Sequence, residues 1–178
     1  MDTKSSHTQT SYDAISLLEQ DHEHVKRLFK EYEKLGTKDA DQKAELVAEA
    51  CQQLTIHAAL EEELFYPAIR TAVKSAELDE AEVEHAQARA LVEQLESMEP
   101  GDALYDATVT VLGEYVAHHV KEEEGAMFPA VRKSSIDLAT LGKEIMERRK
   151  SLLAETESGS GSSSRKTRKG PPTQHARH

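Results

Sequence analysis

The chain has 178 residues, of which 38% are hydrophobic and 31% charged, and its single cysteine, Cys51, excludes an internal disulfide and indicates a reducing compartment. The net charge is −11, made up of +5 in residues 159–178 and −16 in the rest, so we do not expect the acidic body to bind nucleic acid or anionic membranes. There is no apolar run long enough to cross a bilayer and no apolar signal core at the N-terminus, so we expect a cytoplasmic protein.

Five helices are predicted in chain order, because apolar residues recur at helical spacing in five segments. These segments cover residues 11–35, 40–73, 80–98, 103–132 and 136–154. Three of them follow an aspartate placed to cap the helix, namely Asp39 (with Gln42), Asp79 (with Glu82) and Asp102. Four long helices joined by short loops predict an all-α, up-down-up-down four-helix bundle with a short C-terminal helix.

The two ends of the chain differ in composition from the predicted bundle. Residues 1–10 are polar, and residues 155–178 are basic and rich in Ser and Gly, so neither end can bury apolar area. We therefore predict a flexible N-terminus, a bundle over residues 11–154 and a disordered basic tail, and leave open a protein partner for that tail. Pro67 and Pro129 lie inside the second and fourth predicted helices, where each should introduce a kink.

An internal repeat relates the two halves of the chain. The stretch "LTIHAALEEELFYPAIR", which begins at Leu54, returns as "VAHHVKEEEGAMFPAVR", which begins at Val116. Likewise "EQDHEHV" around His22 resembles "EVEHAQA" around His85. Each half is thus a helical hairpin, with one histidine on its first helix and an HxxxE pair on its second.

The HxxxE spacing places an imidazole and a carboxylate on one face of a helix, since residues four apart are stacked along it. The same faces carry apolar residues, which directs these polar groups into the bundle core. The predicted set of inward-facing ligands is His22, His57, Glu61, His85, His119 and Glu123. Buried carboxylates need a partner, and six such groups from four helices are explained most simply by two metal ions bridged by both glutamates. Iron fits this count better than zinc, which prefers four tetrahedral ligands.

The stretches "QDHEHVKRLF", "HAALEEELFYPAIR", "EHAQARALVEQL" and "HHVKEEEGAMFPAVR" resemble the hemerythrin-like HHE cation-binding family over roughly residues 12–152. The family pattern H…HxxxE…H…HxxxE falls on the same six residues. The resemblance implies two non-haem iron ions in a four-helix bundle, with an oxo or hydroxo bridge between them.

The sequence departs from the pattern of the oxygen-carrying hemerythrins in two places. Arg89 stands where those proteins have a fifth histidine, and Glu123 provides an HxxxE where they have HxxxxD. We therefore expect binding and activation of a small oxidant (hydrogen peroxide, dioxygen or nitric oxide), with catalase-like peroxide decomposition as the leading chemistry. A non-enzymatic sensor of iron, dioxygen or nitric oxide is the alternative, and a ferritin-like ferrous oxidase is a third hypothesis.

Several alternatives for individual ligands remain open. His118 forms a second HxxxE with Glu122, although the apolar face favours His119 with Glu123. Glu19 and Glu82 would make a ferritin-like ExxH set with His22 and His85, but that set leaves two histidines unexplained. Tyr115 is expected to pack or to support a ligand. Three further acids are expected on the solvated side of the helices, although one of them could supply a missing donor, namely Glu62, Glu63 and Glu124.

Overall fold

The computed structural model describes residues 13–160, with side chains up to residue 156. Seven α-helices make up this part of the chain: α1 Ala14–Tyr32, α2 Ala40–Leu60, α3 Tyr66–Ile69, α4 Ser75–Glu96, α5 Tyr105–Glu122, α6 Phe128–Arg132 and α7 Leu138–Ser160. Two π-helical turns, Glu61–Phe65 and Glu123–Met127, join α2 to α3 and α5 to α6. The second and fourth predicted helices are therefore each built as an α-helix, a π turn and a short α-helix.

The long helices α1, α2, α4 and α5 form a four-helix bundle. Helix α1 packs against α2, α4 against α5, and the two hairpins meet through α2 with α4 and α1 with α5. Two apolar clusters fill the bundle, one around Leu18 and Leu60 and the other around Val25 and Leu112. The predicted all-α bundle is confirmed. Within residues 13–160, no helix combines the length and the apolar character that crossing a bilayer requires.

The π turns lie directly before the two prolines that the sequence marked as disruptive. Pro67 and Pro129 have no N–H to donate to the carbonyl four residues earlier, so a regular α-helix cannot continue through them. The chain widens by one residue per turn instead, and each π turn begins at a glutamate of an HxxxE pair, Glu61 or Glu123. Turns of this type are frequent at functional sites.

The three predicted aspartate caps are not formed. Asp39 accepts a hydrogen bond from the N–H of Gly36 at 2.7 Å, which belongs to the preceding loop. Asp79 lies inside α4, because that helix starts earlier, at Ser75. Asp102 accepts from the N–H of Glu99 at 2.8 Å. Asp39 and Asp102 thus accept hydrogen bonds from loop N–H groups, and Asp79 lies within a helix. These contacts outweigh the local preference of aspartate for a helix cap.

Helix α7 runs for 23 residues and extends beyond the predicted end at residue 154. Asp137 stabilises its start by accepting a hydrogen bond from the N–H of Thr140 at 3.0 Å. Its residues Leu141 and Ile145 are 6% and 0% exposed and belong to the apolar cluster around Leu18. The predicted flexible N-terminus and the remainder of the predicted basic tail, residues 161–178, lie outside the described residues.

Candidate metal centre

The six predicted ligands lie together between the two apolar clusters of the bundle. None is more than 7% exposed: His22 in α1, His57 in α2, Glu61 in the first π turn, His85 in α4, His119 in α5 and Glu123 in the second π turn. Such a concentration of imidazole and carboxylate in an apolar interior requires pairing or a cation to be tolerated. The structure shows that these six side chains converge, and their role as metal ligands stays a prediction.

The donor atoms form two overlapping groups. In the first, His22, His57, Glu61 and Glu123 each offer one atom, and these four atoms lie within 4.8 Å of one another. In the second, Glu61, His85 and His119 each offer one atom, and these three atoms also lie within 4.8 Å of one another. Each hairpin thus contributes its two histidines to one position. We call these the first position, at His22 and His57, and the second position, at His85 and His119.

The two glutamates stand between the two positions. Glu61 Oε2 lies 3.2 Å from His57 Nε2 and 3.3 Å from His85 Nε2, so one carboxylate oxygen faces a histidine of each position. Glu123 Oε2 lies 3.3 Å from His22 Nε2 and 3.5 Å from His119 Nε2. Both carboxylates can therefore be shared, as the repeat in the sequence indicated.

Every histidine of the site also faces a carboxylate with its outer nitrogen. The Nδ1 atoms donate to four acids: His22 to Glu124 at 2.9 Å, His57 to Asp21 at 3.3 Å, His85 to Glu62 at 2.9 Å and His119 to Glu84 at 2.8 Å. These acceptors favour the tautomer in which Nδ1 carries the proton, which leaves the Nε2 lone pairs directed inward. The inner Nε2 atoms are close to each other, at 3.1 Å for both His22–His57 and His85–His119.

The four outer acceptors follow the repeat but were missed by the sequence analysis. Asp21 and Glu84 directly precede the first histidine of each hairpin, and Glu62 and Glu124 directly follow the shared glutamates. The prediction that Glu62 and Glu124 only face solvent is wrong, because each is bound to a ligand histidine across the bundle. The only sequence signal for these four acceptors was that they occupy matching positions in the two halves of the repeat. That signal is weak here, because glutamates are frequent throughout the helices.

When no metal is bound, the contacts between histidines and carboxylates decide which of these groups carry protons. Burial alone would lower the pKa of His57, but the carboxylates of Glu61 and Asp21 outweigh it and raise the pKa to about 10. Burial would raise the pKa of Glu61, but His57 and His85 hold it well below its usual range. In the absence of a cation, a proton on His57 therefore partly compensates the buried carboxylate charge.

Two buried oxygens are left without a partner, and this observation tests whether a metal fits. Among the described residues, Glu61 Oε1 and Glu123 Oε2 accept no hydrogen bond, although both atoms are inaccessible to solvent. Unpartnered buried acceptors are rare and costly in folded proteins. Cations placed among the inward Nε2 lone pairs would satisfy both oxygens, so the residues present fit a pair of metal ions.

Tyr66 adds a hydroxyl to the centre of the site. Its side chain is 1% exposed, and its O–H donates to Glu123 Oε1 at 3.1 Å, with Glu61 Oε2 at 3.3 Å. Burial and the two carboxylates raise the pKa of Tyr66 strongly, so it keeps its proton. In the second hairpin the matching residue is Phe128, which stacks on His22 at a ring-centroid distance of 5.7 Å. The two halves of the site therefore differ by one phenol hydroxyl.

A cavity of about 40 Å³ adjoins the four histidines, and Tyr66 is not among its lining residues. Besides the four histidines, its walls are mainly apolar, formed by Val25, Leu54, Ala88, Val92, Val116 and Val120. One water needs about 10–15 Å³ by the same measure, so the cavity can hold a molecule of two or three heavy atoms. Tyr115 lines the cavity but is 42% exposed, and nothing places its hydroxyl among the ligands.

The rival ligand sets are not assembled. Glu19 and Glu82 point away from the site to surface arginines, Glu19 to Arg132 at 3.2 Å and Glu82 to Arg70 at 3.7 Å. The ferritin-like set is therefore wrong for this chain. His118, 60% exposed at its side chain, faces Glu84 and Glu122 at the surface.

Arg89, which replaces the fifth histidine, is directed to an outer carboxylate. Its guanidinium contacts Glu62 at 2.5 Å, and Glu62 in turn accepts from the ligand histidine His85. The position that supplies a metal ligand in the oxygen carriers thus supports a ligand indirectly here.

Comparison with known proteins agrees with this architecture. A protein from Nostoc sp. (strain PCC 7120) named DNA nickase is 29% identical over 118 residues, which are 66% of this chain and 33% of that protein. This chain thus spans about one third of the length of that relative. A crystal structure of a hemerythrin HHE cation binding domain-containing protein from Mycobacterium kansasii superposes with a TM-score of 0.73 at 22% identity, covering 86% of this chain and 95% of the other. That likeness shows the fold.

The family model described as the hemerythrin HHE cation binding domain matches residues 13–131. This range contains all four bundle helices, both π turns and the six clustered donors. The chain therefore belongs to the hemerythrin HHE cation-binding domain family.

Proposed function

We propose that this protein binds two non-haem iron ions and uses them to decompose hydrogen peroxide to water and dioxygen. The observation that carries the proposal is the pair of donor groups that share Glu61, next to a cavity sized for a molecule of two or three heavy atoms. A mixed imidazole and carboxylate set suits iron, and a pair of iron ions, each changing between the ferrous and ferric states, would supply two electrons to one peroxide and accept two from another.

The residues of the chain prepare the site for such chemistry. Four Nε2 lone pairs are held inward because each Nδ1–H is bound to a carboxylate, and the two glutamates lie where both ions could share them. Tyr66 donates its O–H to Glu123 Oε1 at 3.1 Å and so holds this shared carboxylate in place. The apolar walls of the cavity, such as Val92 and Val116, limit the access of water and of larger reductants.

Peroxide turnover by the iron-loaded protein tests the proposal. Oxygen evolution measured with an electrode is expected to exceed that of the same concentration of free ferric ion, and His57→Ala should abolish it together with iron at the first position. The matched control is His24→Ala, because His24 lies two residues from His22 but pairs with Glu49 at the surface. Iron loading without turnover above free ferric ion would reject the enzymatic part.

The alternative is a non-enzymatic sensor of dioxygen or nitric oxide. The same cavity of about 40 Å³ favours it, because both gases have two heavy atoms and suit apolar walls. Its sign would be a reversible change in the visible spectrum on adding the gas, without peroxide turnover. Cleavage of nucleic acid is not part of the proposal, because the nickase is matched over one third of its length and the body of this chain carries −16.

A further inference from the structure

Helix α7 lies outside the matched family domain, yet it is packed on the bundle. The family match ends at residue 131, whereas α7 covers Leu138–Ser160 and contacts α1, α2 and the first π turn. Ile145, fully buried, anchors it in the apolar cluster around Leu18. The helix therefore covers the first hairpin, which holds the first metal position.

One side chain of α7 reaches towards that position. The guanidinium of Arg149 donates two hydrogen bonds to Asp21, at 2.5 and 2.7 Å. Asp21 is 9% exposed, and its Oδ2 accepts the hydrogen bond from His57 Nδ1 at 3.3 Å. A paired arginine and carboxylate of this geometry is strong and fixes orientation. A continuous chain of contacts thus runs from α7 to the inward-facing nitrogen of His57.

In the part of the chain that the structure describes, no side chain of α7 contacts an outer carboxylate of the second position. There the matching carboxylate is Glu84, which accepts from His119 Nδ1 at 2.8 Å. The side chain beside Glu84 is the imidazole of His118, at 3.4 Å, which is exposed and lies next to His119 on the same helix. The permanent charge at the second position comes from Arg89, which lies on α4 with His85 and contacts Glu62, the acceptor of His85 Nδ1. The first position is therefore connected to the separate helix α7, whereas the second is supported from within the four-helix bundle.

We propose that Arg149 is a positioning residue that couples the docking of α7 to metal binding at the first position. With Arg149 in place, Asp21 is held against His57 and orients its Nε2 towards the metal. Without Arg149, Asp21 has its charge uncompensated near the surface and no longer holds the imidazole firmly. By linkage, a metal ion at the first position must strengthen α7 docking by the same factor by which docking strengthens metal binding.

This inference rests on cation binding by the family domain and not on the proposed peroxide chemistry, so the two can fail separately. Arg149→Ala is the test variant and Arg148→Ala its matched control, because Arg148 also ties α7 to the first hairpin. Arg148 contacts Glu63 at 2.6 and 3.1 Å, and Glu63 is 46% exposed at its side chain and outside the metal centre.

Anaerobic titration of the full chain with ferrous iron, followed by calorimetry, measures both binding steps. Arg149→Ala should weaken one step by roughly threefold to tenfold, less than the roughly 10–100-fold cost of removing a direct partner of a ligand such as Asp21, and leave the other step within about twofold. Arg148→Ala should leave both steps unchanged, and Arg149→Lys should recover part of the loss. Equal effects of Arg148→Ala and Arg149→Ala, or equal weakening of both steps, would overturn the inference.

Hydrogen exchange of the α7 amides gives a second readout that does not depend on turnover. Iron should slow exchange in α7 of the wild-type chain and of Arg148→Ala, and this protection should disappear in Arg149→Ala. If Arg149→Ala does not fold, the wild-type measurement still decides: exchange in α7 that is the same with and without iron would contradict the coupling.

Discussion

Removal of the metal ions should lower the stability of the bundle by several kcal/mol. Glu61 and Glu123 are 0% and 1% exposed, and one oxygen of each has no hydrogen-bond partner among the described residues. A buried acceptor without a partner costs about 1–3 kcal/mol, so the two oxygens together destabilise the metal-free protein by about 2–6 kcal/mol. Cations that bind these oxygens in the folded chain remove this cost.

The thermodynamic linkage between metal binding and folding gives a second, independent magnitude for this stabilisation. Free metal at one hundred times its dissociation constant stabilises the folded state by about 2.7 kcal/mol per site, so two sites give about 5 kcal/mol. For a chain of this size each kcal/mol shifts the melting temperature by about 2–4 °C, so two ions should raise it by about 10–20 °C. Thermal unfolding followed by far-ultraviolet circular dichroism, with iron or with chelator, measures this shift.

Two histidine variants separate site binding from non-specific effects of iron. His57→Ala removes a donor of the first position and should reduce the shift by at least half, whereas His24→Ala, whose side chain pairs with Glu49 at the surface, should keep it. The reasoning is refuted if iron does not raise the melting temperature of the wild-type chain, or if His57→Ala shows the full shift.

Three further outcomes are expected. Because burial is outweighed by the carboxylates that raise the pKa of His57 to about 10, metal binding at neutral pH should release its proton and weaken on acidification; calorimetry in two buffers of different ionisation enthalpy detects this, and an enthalpy independent of the buffer contradicts it. Tyr66→Phe removes the hydroxyl 3.1 Å from Glu123 and should cost the metal-free protein about 1–3 kcal/mol in urea unfolding, where no change would argue against that hydrogen bond. Phe65→Ala empties a fully buried position and should cost about 3–5 kcal/mol, against less than about 0.5 kcal/mol for Val83→Ala at a side chain that is 61% exposed, and similar costs would contradict the packing.

The sequence was most informative where spacing alone determines which way a side chain points. The HxxxE pairs beginning at His57 and His119 have to share a helix face, and the apolar residues beside them decide that the face is buried. The four-helix bundle follows from the same periodicity. The ExxH pairs have a similar local spacing, and only the structure shows that their glutamates pair with arginines outside the site, Glu19 with Arg132 from the other hairpin and Glu82 with Arg70 before α4.

Contacts between distant segments could not be predicted from spacing. Arg149 and Asp21 are 128 residues apart, and nothing in either local pattern distinguishes them from other charged surface residues. The π turns were expected only as kinks at Pro67 and Pro129, since proline forbids a regular helix without specifying what replaces it. The predicted aspartate caps were wrong for a related reason. The Asp39 side chain accepts its hydrogen bond from Gly36 in the preceding loop and not from the first turn of the helix.

The metal content of the purified protein tests the central claim most directly. Iron, zinc and manganese are measured per chain by mass spectrometry, for the wild-type chain and for the double variant His57→Ala/His119→Ala, which removes one donor from each position. Two iron atoms per wild-type chain and none in the double variant are the predicted result. The account would be contradicted if the wild-type chain contained no metal after purification and after reconstitution with iron. It would also be contradicted if the double variant kept its full iron content.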